Sequence, residues 1–202
     1  ILVFPGGVGT AEEVLYLLGL LMHPDNAGIC LPMILTGPES AAAYFEQIDR
    51  FIRLALGDTA TEHYSIVVDD AALVARMMGK GIHRVREQRI RDKDSFFFNW
   101  SLNVPLPFQL PFEPNHAAMA ALSLHRNQPL HALAADLRRA FSGIVAGNVK
   151  DPAMKAIESH GPFAITGDAD IMRAMDELLA SFVAQRRMKI SGVYQPCYRL
   201  AH

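Results

Sequence analysis

Short apolar segments alternate with helical patterns along the first eighty residues. Residues 1–4, 31–35 and 64–68 are apolar runs of strand length, each followed by glycine, proline or aspartate. Residues 10–22 are apolar on most sides, as in a buried helix, and residues 44–55 repeat apolar positions at amphipathic helical spacing. A third helix is expected from Asp69 or Asp70 to Met78, with Gly79 and Gly81 ending it.

This β-α-β-α-β-α order predicts an α/β fold with a parallel, Rossmann-like sheet. The first strand, Ile1–Phe4, opens the chain, although a buried parallel strand needs neighbours on both sides. We therefore expect a fragment of a longer protein, in which residues 1–80 form the C-terminal half of the Rossmann-like domain.

The pattern changes after residue 80. A basic run at 83–93 precedes the aromatic segment Phe96–Trp100 and four prolines between 105 and 114, which argue against a helix and favour an irregular or edge-strand segment. Helical patterns return at about 116–126, 129–146 and 168–188, with a short helix after Pro152, and a final strand is expected within 190–200. Residues 81–202 are thus predicted to form a mainly helical C-terminal extension.

Composition narrows the range of functions. The 19 basic and 21 acidic residues nearly cancel, which argues against the broad cationic surface that nucleic-acid binding requires. No apolar run approaches the roughly 18 residues of a membrane span. The two distant cysteines, Cys30 and Cys197, favour reduced thiols, with Cys30 expected in the core. A cytoplasmic protein that contacts neither membrane nor nucleic acid is expected.

The segment from Pro5 to Glu13 carries the clearest chemistry. Gly6, Gly7 and Gly9 follow the first strand and Thr10 is expected to cap the first helix, so N–H groups and a hydroxyl can converge on an anion. The segment is not a P-loop, because no Gly-Lys-Ser/Thr follows. Nor is it the dinucleotide fingerprint, because Glu12 stands where the third glycine belongs. The segment therefore predicts a phosphate site that needs no lysine.

Two interpretations remain open for Glu13. With Thr10 it could form a capping box that only satisfies the start of the helix. Alternatively, a carboxylate within a turn of a bound phosphate could stabilise an oxocarbenium-like state, or activate water, while a glycosidic bond is cleaved.

Pro5 to Glu13 resembles the PGGxGTxxE motif of the LOG-type phosphoribohydrolases, a family once named lysine decarboxylases. The similarity covers residues 1 to about 80, including His23 and the strand end Ile66–Asp70. The aromatic and proline-rich segment resembles the C-terminal extension of one branch of this family. The resemblance implies a nucleotide-binding Rossmann domain that usually forms homo-oligomers.

The resemblance also implies a reaction. Members of the family hydrolyse nucleoside 5′-monophosphates to free base and ribose 5-phosphate, with water as the acceptor and no metal or other cofactor. It implies that Gly6, Gly7, Gly9 and Thr10 hold the 5′-phosphate, and that Glu13, or its neighbour Glu12, serves the hydrolysis. The family's upstream arginine and second glycine-rich loop do not lie in this sequence.

Four arginines form a basic run: Arg84, Arg86, Arg89 and Arg91. They could be a solvated surface interspersed with acidic residues, or an anion site. Because this branch of the family is regulated by guanosine tetraphosphate, the resemblance implies an effector site for that alarmone here.

Other polar residues favour structural roles. His116, His125 and His131 lack the spacing of a zinc helix, which favours capping or core positions. Asp168 and Asp170 are expected to cap the last helix. The aromatic segment Phe96–Trp100 could stack on a base, but apolar packing is the better expectation.

Two other functions compete with hydrolysis. A non-catalytic nucleotide sensor would use the same phosphate site for regulation. An amino-acid decarboxylase would usually need a lysine for pyridoxal phosphate, and the first lysine of the chain is Lys80, far from the glycine loop in sequence.

Overall fold

The computed structural model describes residues 1–94, 102–188 and 195–200. Strands and helices alternate in its first half: β1 (Leu2–Val3), α1 (Val8–Leu21), β2 (Ile34–Gly37), α2 (Ala42–Leu56), α3 (Asp58–Thr61), β3 (Ser65–Val68) and α4 (Ala71–Asp92). The three strands pair in parallel in the order β1-β2-β3, with Ile34 opposite both Leu2 and Ser65. The predicted α/β fold with a parallel sheet is confirmed.

Strand β1 forms one edge of this sheet and pairs only with β2 among the described residues. Val3 is buried, whereas Ile1, Leu2 and Phe4 are 40%, 41% and 62% exposed. No described strand covers the outer edge of β1, and the expected second neighbour of this strand stays a prediction.

Helix α4 differs most from its expectation. It runs for 22 residues and passes through Gly79 and Gly81, which were expected to end it. A Cβ on Gly81 would lie 2.6 Å from Cγ of Pro32, so this glycine lets the helix approach the segment before β2. At the helix start, the Asp70 carboxylate accepts a 2.7 Å hydrogen bond from the Leu73 N–H and is the predicted cap.

The second half of α4 is fixed to the segment before β2 by one side chain. The Gln88 amide accepts a hydrogen bond from the Cys30 N–H and donates one to the Gly28 carbonyl, both of 2.8 Å. Gln88 thus holds the part of α4 that continues unbroken past residue 80, where the sequence pattern changes.

The second half of the chain contains a sheet that the sequence analysis missed. Its elements are α5 (Leu106–Gln109), α6 (His116–Ala120), β4 (Ser123–Leu124), α7 (Leu130–Val149), α8 (Asp151–His160), β5 (Phe163–Gly167), α9 (Ala169–Ala184) and β6 (Tyr198–Leu200). Strands β4, β5 and β6 pair in parallel in that order. Helices still predominate, and β6 lies where the final strand was expected.

Two local expectations in this half are wrong. The helix expected at 116–126 ends at Ala120, and β4 follows it. The proline-rich stretch contains the short helix α5, because Pro105 is its N-cap and Pro107 lies in its first turn, where a missing N–H costs nothing. The aromatic segment Phe96–Trp100 lies outside the described residues.

Both sheets share one hydrophobic core. Helix α1 packs along α7, and α2 packs against α9. Aromatic rings link the halves: Phe51 lies 5.6 Å from Phe141, and Tyr44 lies 5.2 Å from Phe182, measured between ring centroids. No helix in the described ranges is long and apolar enough to cross a membrane.

The two cysteines do not form a disulfide, as expected. Cys197 is buried, and burial raises the pKa of its thiol to about 11. Cys30 is only partly buried, contrary to its expected place in the core, because it lies in the loop before β2.

Candidate active site at the glycine loop

The glycine loop, Pro5–Gly7, joins the carboxyl end of β1 to the amino end of α1. The helix begins at Val8 with Gly7 as its N-cap, and no side chain caps it. Thr10 is therefore the third residue of the helix rather than its cap, so the cap expected at Thr10 and the capping-box interpretation of Glu13 are wrong. The first N–H groups of an α-helix have no partner within the helix, so this start is suited to an anion.

The Thr10 hydroxyl faces back onto the loop. A Cβ on Gly6 would lie 2.0 Å from the Thr10 Oγ1, so only glycine fits beside this hydroxyl. The Tyr44 hydroxyl donates a 3.4 Å hydrogen bond to the Gly7 carbonyl. Burial raises the pKa of this Tyr44 hydroxyl, while contacts with the Gly6 backbone and the Thr10 side chain oppose the rise. Tyr44 thus supports the loop from its buried side.

Arg187, which the sequence analysis did not select, also reaches the loop. Its Nη1 donates a 3.4 Å hydrogen bond to the Gly6 carbonyl, and its guanidinium lies 4.6 Å from the centre of the Tyr44 ring. A cavity of about 190 Å³ separates the loop from α7 and is lined by Gly7, Gly9 and Arg187 together with apolar residues of α7. These positions are 181 residues apart and share no local pattern, so sequence analysis could not detect this contact.

The two candidate glutamates have different surroundings. Neighbouring residues of an α-helix project about 100° apart, and Glu13 lies three residues after Thr10, on the same face. Glu13 is exposed and its charge reaches the Tyr44 hydroxyl. Glu12 is half-buried against α7, with its Oε1 3.8 Å from Nη1 of Arg138. Only Glu13 therefore presents a solvent-accessible carboxylate on the face of α1 that carries Thr10.

The Glu12 side chain belongs to a partly buried polar cluster. Burial raises the pKa of Glu12, while a hydrogen bond with Ser142 and the charge of Arg138 oppose the rise. Burial also lowers the pKa of Arg138, whose Nε has no hydrogen-bond partner among the described residues. Desolvation thus works against both charges, and the arginine also stacks on the Tyr16 ring, 5.6 Å from its centre. A cavity of about 330 Å³ adjoins this cluster and Glu13.

The four arginines of the basic run lie elsewhere. Arg84, Arg86, Arg89 and Arg91 are on the second half of α4, and Arg91 pairs with Asp92 at 3.1 Å. Arg84, with Lys80 and His83, lines a cavity of about 670 Å³. This cavity lies against the amino ends of β2 and β3, whereas the glycine loop lies at the carboxyl end of β1, the opposite end of the parallel strands.

The three histidines are partly buried and contact neighbouring groups, whereas core or capping positions were expected. His116 Nε2 lies 2.8 Å from the Gly161 carbonyl oxygen, and the His131 ring lies 4.7 Å from that of His23. His125 Nδ1 lies 2.8 Å from Oδ1 of Asp168. Within the described ranges, no three His, Cys, Asp or Glu side chains are grouped to hold a metal ion.

Asp168 does not cap α9 with its side chain, although it occupies the N-cap position as expected. Its carboxylate instead accepts hydrogen bonds from His125 and from the Arg126 N–H, the latter at 3.0 Å. Arg126 also donates to Asp170 at 2.9 Å and to the Leu54 carbonyl at 2.7 Å. The expected cap is therefore replaced by an ion-pair cluster that joins β4, α9 and α2.

Two family models match this chain. A family model described as possible lysine decarboxylase matches residues 1–78, the part that contains the glycine loop. A second model, described as the C-terminal part of pyrimidine/purine nucleotide monophosphate nucleosidase, matches residues 82–201.

Curated relatives cover both segments at once. Proteins named pyrimidine/purine nucleotide 5′-monophosphate nucleosidase from Escherichia coli K12 and O157:H7 are each 56% identical to this chain over 201 residues. The match includes 99% of this chain but 44% of each relative, so the chain spans less than half of their length. Because the second family model covers more than half of the chain, the chain belongs to the pyrimidine/purine nucleotide monophosphate nucleosidase family.

Proposed function

We propose that this chain supplies the phosphate-binding loop and the catalytic carboxylate of an enzyme that hydrolyses the N-glycosidic bond of nucleoside 5′-monophosphates. The observation that carries the proposal is the uncapped start of α1 at Gly7, with the exposed Glu13 on the Thr10 face of the same helix. The names of the curated relatives support this reaction over a purely regulatory role.

The phosphate is held first. The N–H groups of Val8, Gly9 and Thr10 point out of the helix start, where the helix dipole also favours negative charge. Gly6 and Gly7 let the backbone approach the phosphate closely, and the Thr10 hydroxyl adds a donor. This binding fixes the ribose at a constant distance from the second turn of α1.

Glu13 then acts on the ribose. When the bond between C1′ and the base nitrogen breaks, its electron pair leaves with the base and C1′ becomes oxocarbenium-like. A carboxylate beside C1′ stabilises this charge or accepts a proton from the attacking water. The water oxygen bonds to C1′ and loses a proton, and the departing base gains a proton.

Glu12 has a supporting role in this proposal. Its carboxylate is directed to Arg138 on α7, so it helps to hold α1 against the helix that forms the opposite wall of the loop cavity. Lys80, the first lysine of the chain, lines the cavity at the opposite end of the sheet from the glycine loop.

The basic run is proposed as an effector site for guanosine tetraphosphate. Arg84 contributes, with Lys80 and His83, to a 670 Å³ cavity whose remaining lining is largely apolar, a combination that suits a polyphosphate with a flat base. Arg86, Arg89 and Arg91 would extend the positive field along α4. Because the cavity lies opposite to the glycine loop, such a ligand would act at a distance from the substrate.

The proposal includes assembly and compartment. Exposed apolar residues on α4, Ile82 at 50% and Ile90 at 77%, support a homo-oligomer in which this helix is covered. Two free cysteines support a reducing, cytoplasmic environment.

The test of the reaction is base release from AMP, GMP, CMP and UMP by the full-length protein, with adenosine as a substrate that lacks the phosphate. Free base and ribose 5-phosphate are expected from monophosphates, and much slower release from adenosine. Nucleotide binding without any base release would leave the sensor as the remaining function.

The effector site has its own test. Guanosine tetraphosphate is expected to change the rate of the full-length protein, and Arg84→Gln is expected to weaken that response. Arg173→Gln, which removes an exposed arginine of α9 far from the cavity lining, is the matched control. An unchanged response in Arg84→Gln would place the effector elsewhere.

A further inference from the structure

Arg187 is held in place by the end of α9. The Arg186 N–H donates to the Val183 carbonyl at 2.9 Å, and the Arg187 N–H donates to the Phe182 carbonyl at 2.8 Å. These two bonds form a Schellman motif, in which the residue after the C-cap is left-handed, and Arg186 indeed has φ of 56°. The motif turns the chain sharply and directs Arg187 to the glycine loop.

The contact between Arg187 and the loop involves both backbone and side chain. A Cβ on Gly7 would lie 2.4 Å from the Arg187 carbonyl oxygen, so the two backbones touch. The guanidinium is further oriented by the Gly6 carbonyl, by the Tyr44 ring and by a 3.1 Å hydrogen bond from Nε to Gln185 Oε1. The side chain is thus oriented before any ligand arrives.

The position of this cation is electrostatically unusual. The start of α1 carries the positive end of the helix dipole, which repels a neighbouring cation and attracts an anion. Among the described residues Arg187 makes no ion pair with a carboxylate. A guanidinium that is oriented next to a helix start, with no carboxylate paired to it in the described part of the chain, is suited to share an anion with the helix N–H groups.

We propose that Arg187 binds the 5′-phosphate of the substrate together with the N–H groups at the start of α1. The inference rests on the proposed function, and it adds a phosphate ligand from the segment 82–201 to the loop in the segment 1–78. The cavity of about 190 Å³ that Gly7, Gly9 and Arg187 line is several times the volume of a water molecule. The planar fork of arginine matches two phosphate oxygens, which lysine cannot do.

The experiment measures ribose 5-phosphate binding by calorimetry, and KM and kcat for AMP, in full-length wild type, Arg187→Ala and Arg187→Lys. Loss of a charge-assisted phosphate contact is expected to weaken ribose 5-phosphate binding and to raise KM for AMP by about 10- to 100-fold. Arg187→Lys is expected to recover part of the affinity. The kcat/KM for adenosine, which has no phosphate, is expected to change little.

Arg173→Ala is the matched control, because it removes an exposed arginine of α9 and leaves the turn at Arg186 and Arg187 unchanged. Unchanged ribose 5-phosphate binding in Arg187→Ala would overturn the inference, even if wild type cleaves AMP. If wild type binds ribose 5-phosphate through Arg187 but cleaves no monophosphate, the inference stands and the hydrolase proposal fails. Melting temperatures of the variants separate lost binding from lost folding, and equal losses for AMP and adenosine would also count against a phosphate role.

Discussion

Two strand–turn–helix units in this molecule share one architecture but differ in what remains unpaired. Each begins with a parallel strand, β1 or β5, and continues directly into a helix, α1 or α9. At the start of α1, Gly7 provides no side-chain cap, and the cation Arg187 donates a hydrogen bond to the Gly6 carbonyl. At the start of α9, Asp168 is already bonded to His125 and Arg126.

The difference shows that architecture alone does not make a site. The carboxyl ends of parallel strands are common ligand positions in open α/β sheets. Here the first edge is the junction of β1 with α1, and the second edge is the junction of β5 with α9. At the second edge, however, fixed charges already satisfy one another, and an anion would have to displace the Asp168 carboxylate. Neither helix start is capped by a side chain, but α9 has Asp168 at its N-cap and Asp170 in its first turn, whereas α1 has no acidic residue in its first turn. The start of α1 is therefore the one suited to bind phosphate.

The strongest way to test this contrast is to neutralise the carboxylate beside the first edge. Glu13→Gln keeps the shape but removes the charge that stabilises C1′ or activates water. A fall in kcat of about a hundred- to ten-thousandfold is expected for AMP hydrolysis, with ribose 5-phosphate binding retained. Steady-state kinetics and calorimetry on the full-length protein measure both quantities.

Glu12→Gln is the matched comparison on the other face of α1. It leaves Glu13 intact and weakens the contact with Arg138, so activity is expected to remain within several-fold of wild type. A large loss of kcat in Glu12→Gln with normal activity in Glu13→Gln would reverse the roles of the two carboxylates.

A second test blocks the first edge sterically. Gly7→Ala places a methyl group 2.4 Å from the backbone oxygen of Arg187, which cannot move without shifting the end of α9. A loss of about 1–3 kcal/mol in the free energy of unfolding is expected, with weaker ribose 5-phosphate binding. Gly9→Ala, whose Cβ meets nothing within 4 Å, is the control for stability and is expected to keep or raise the melting temperature, because alanine favours a helix.

A third test removes a charge at the second edge. Asp168→Asn removes the charge that His125 and Arg126 share, and a loss of about 1 kcal/mol in the free energy of unfolding is expected. The backbone N–H of Arg126, followed by the His125 hydrogen bond, lowers the pKa of Asp168. A carboxyl with a lowered folded-state pKa stabilises the fold above its unfolded pKa, here about 3.8, and loses that contribution as the pH falls further.

Unfolding by denaturant at several pH values measures this effect. Wild type is expected to lose stability relative to Asp168→Asn as the pH falls below about 4, and the two should differ most at neutral pH. Base release is expected to be unchanged, because the second edge takes no part in the proposed reaction. A difference in stability that is independent of pH would show that the carboxylate charge is not what matters.

The smallest expected effect concerns the turn that brings Arg187 to the first edge. Arg186 has φ of 56°, a conformation that favours glycine. Arg186→Gly is expected to relieve this strain and to increase the free energy of unfolding by about 0.5–1 kcal/mol. Thermal unfolding measures the change, and a decrease would indicate that the arginine side chain itself stabilises the turn.

Local patterns predicted the first half of the fold well. Three strands and their helices follow from apolar runs and turn residues that lie close together in sequence. The end of α4 was missed because Gly79 and Gly81 are poor helix formers, and only the contact with Pro32 shows why glycine stands at position 81. The second sheet was missed because β4 has only two residues outside any longer apolar run, and because the five residues of β5 lie directly between two helical patterns.

The candidate site was predicted to the extent that it is contiguous. The glycine loop, Thr10 and Glu13 lie within nine residues, so their spacing was informative. The choice between Glu12 and Glu13 depends on which face of α1 meets Arg138, a contact with α7 that is distant in sequence. Tyr44 and Arg187 reach the loop only through the packing of α2 and α9, which no local pattern encodes.

The continuity of α4 constrains how the chain can change in length. The matched segments 1–78 and 82–201 meet inside this helix, which is about 33 Å long at 1.5 Å per residue. One residue inserted after Gly79 would rotate everything beyond it by about 100°, turning Gln88 away from Gly28 and Cys30 and redirecting the arginine side chains. The orientation of the second segment around the helix axis therefore depends on the number of residues in α4. An insertion of seven residues, close to two full turns, would change that orientation far less than an insertion of one.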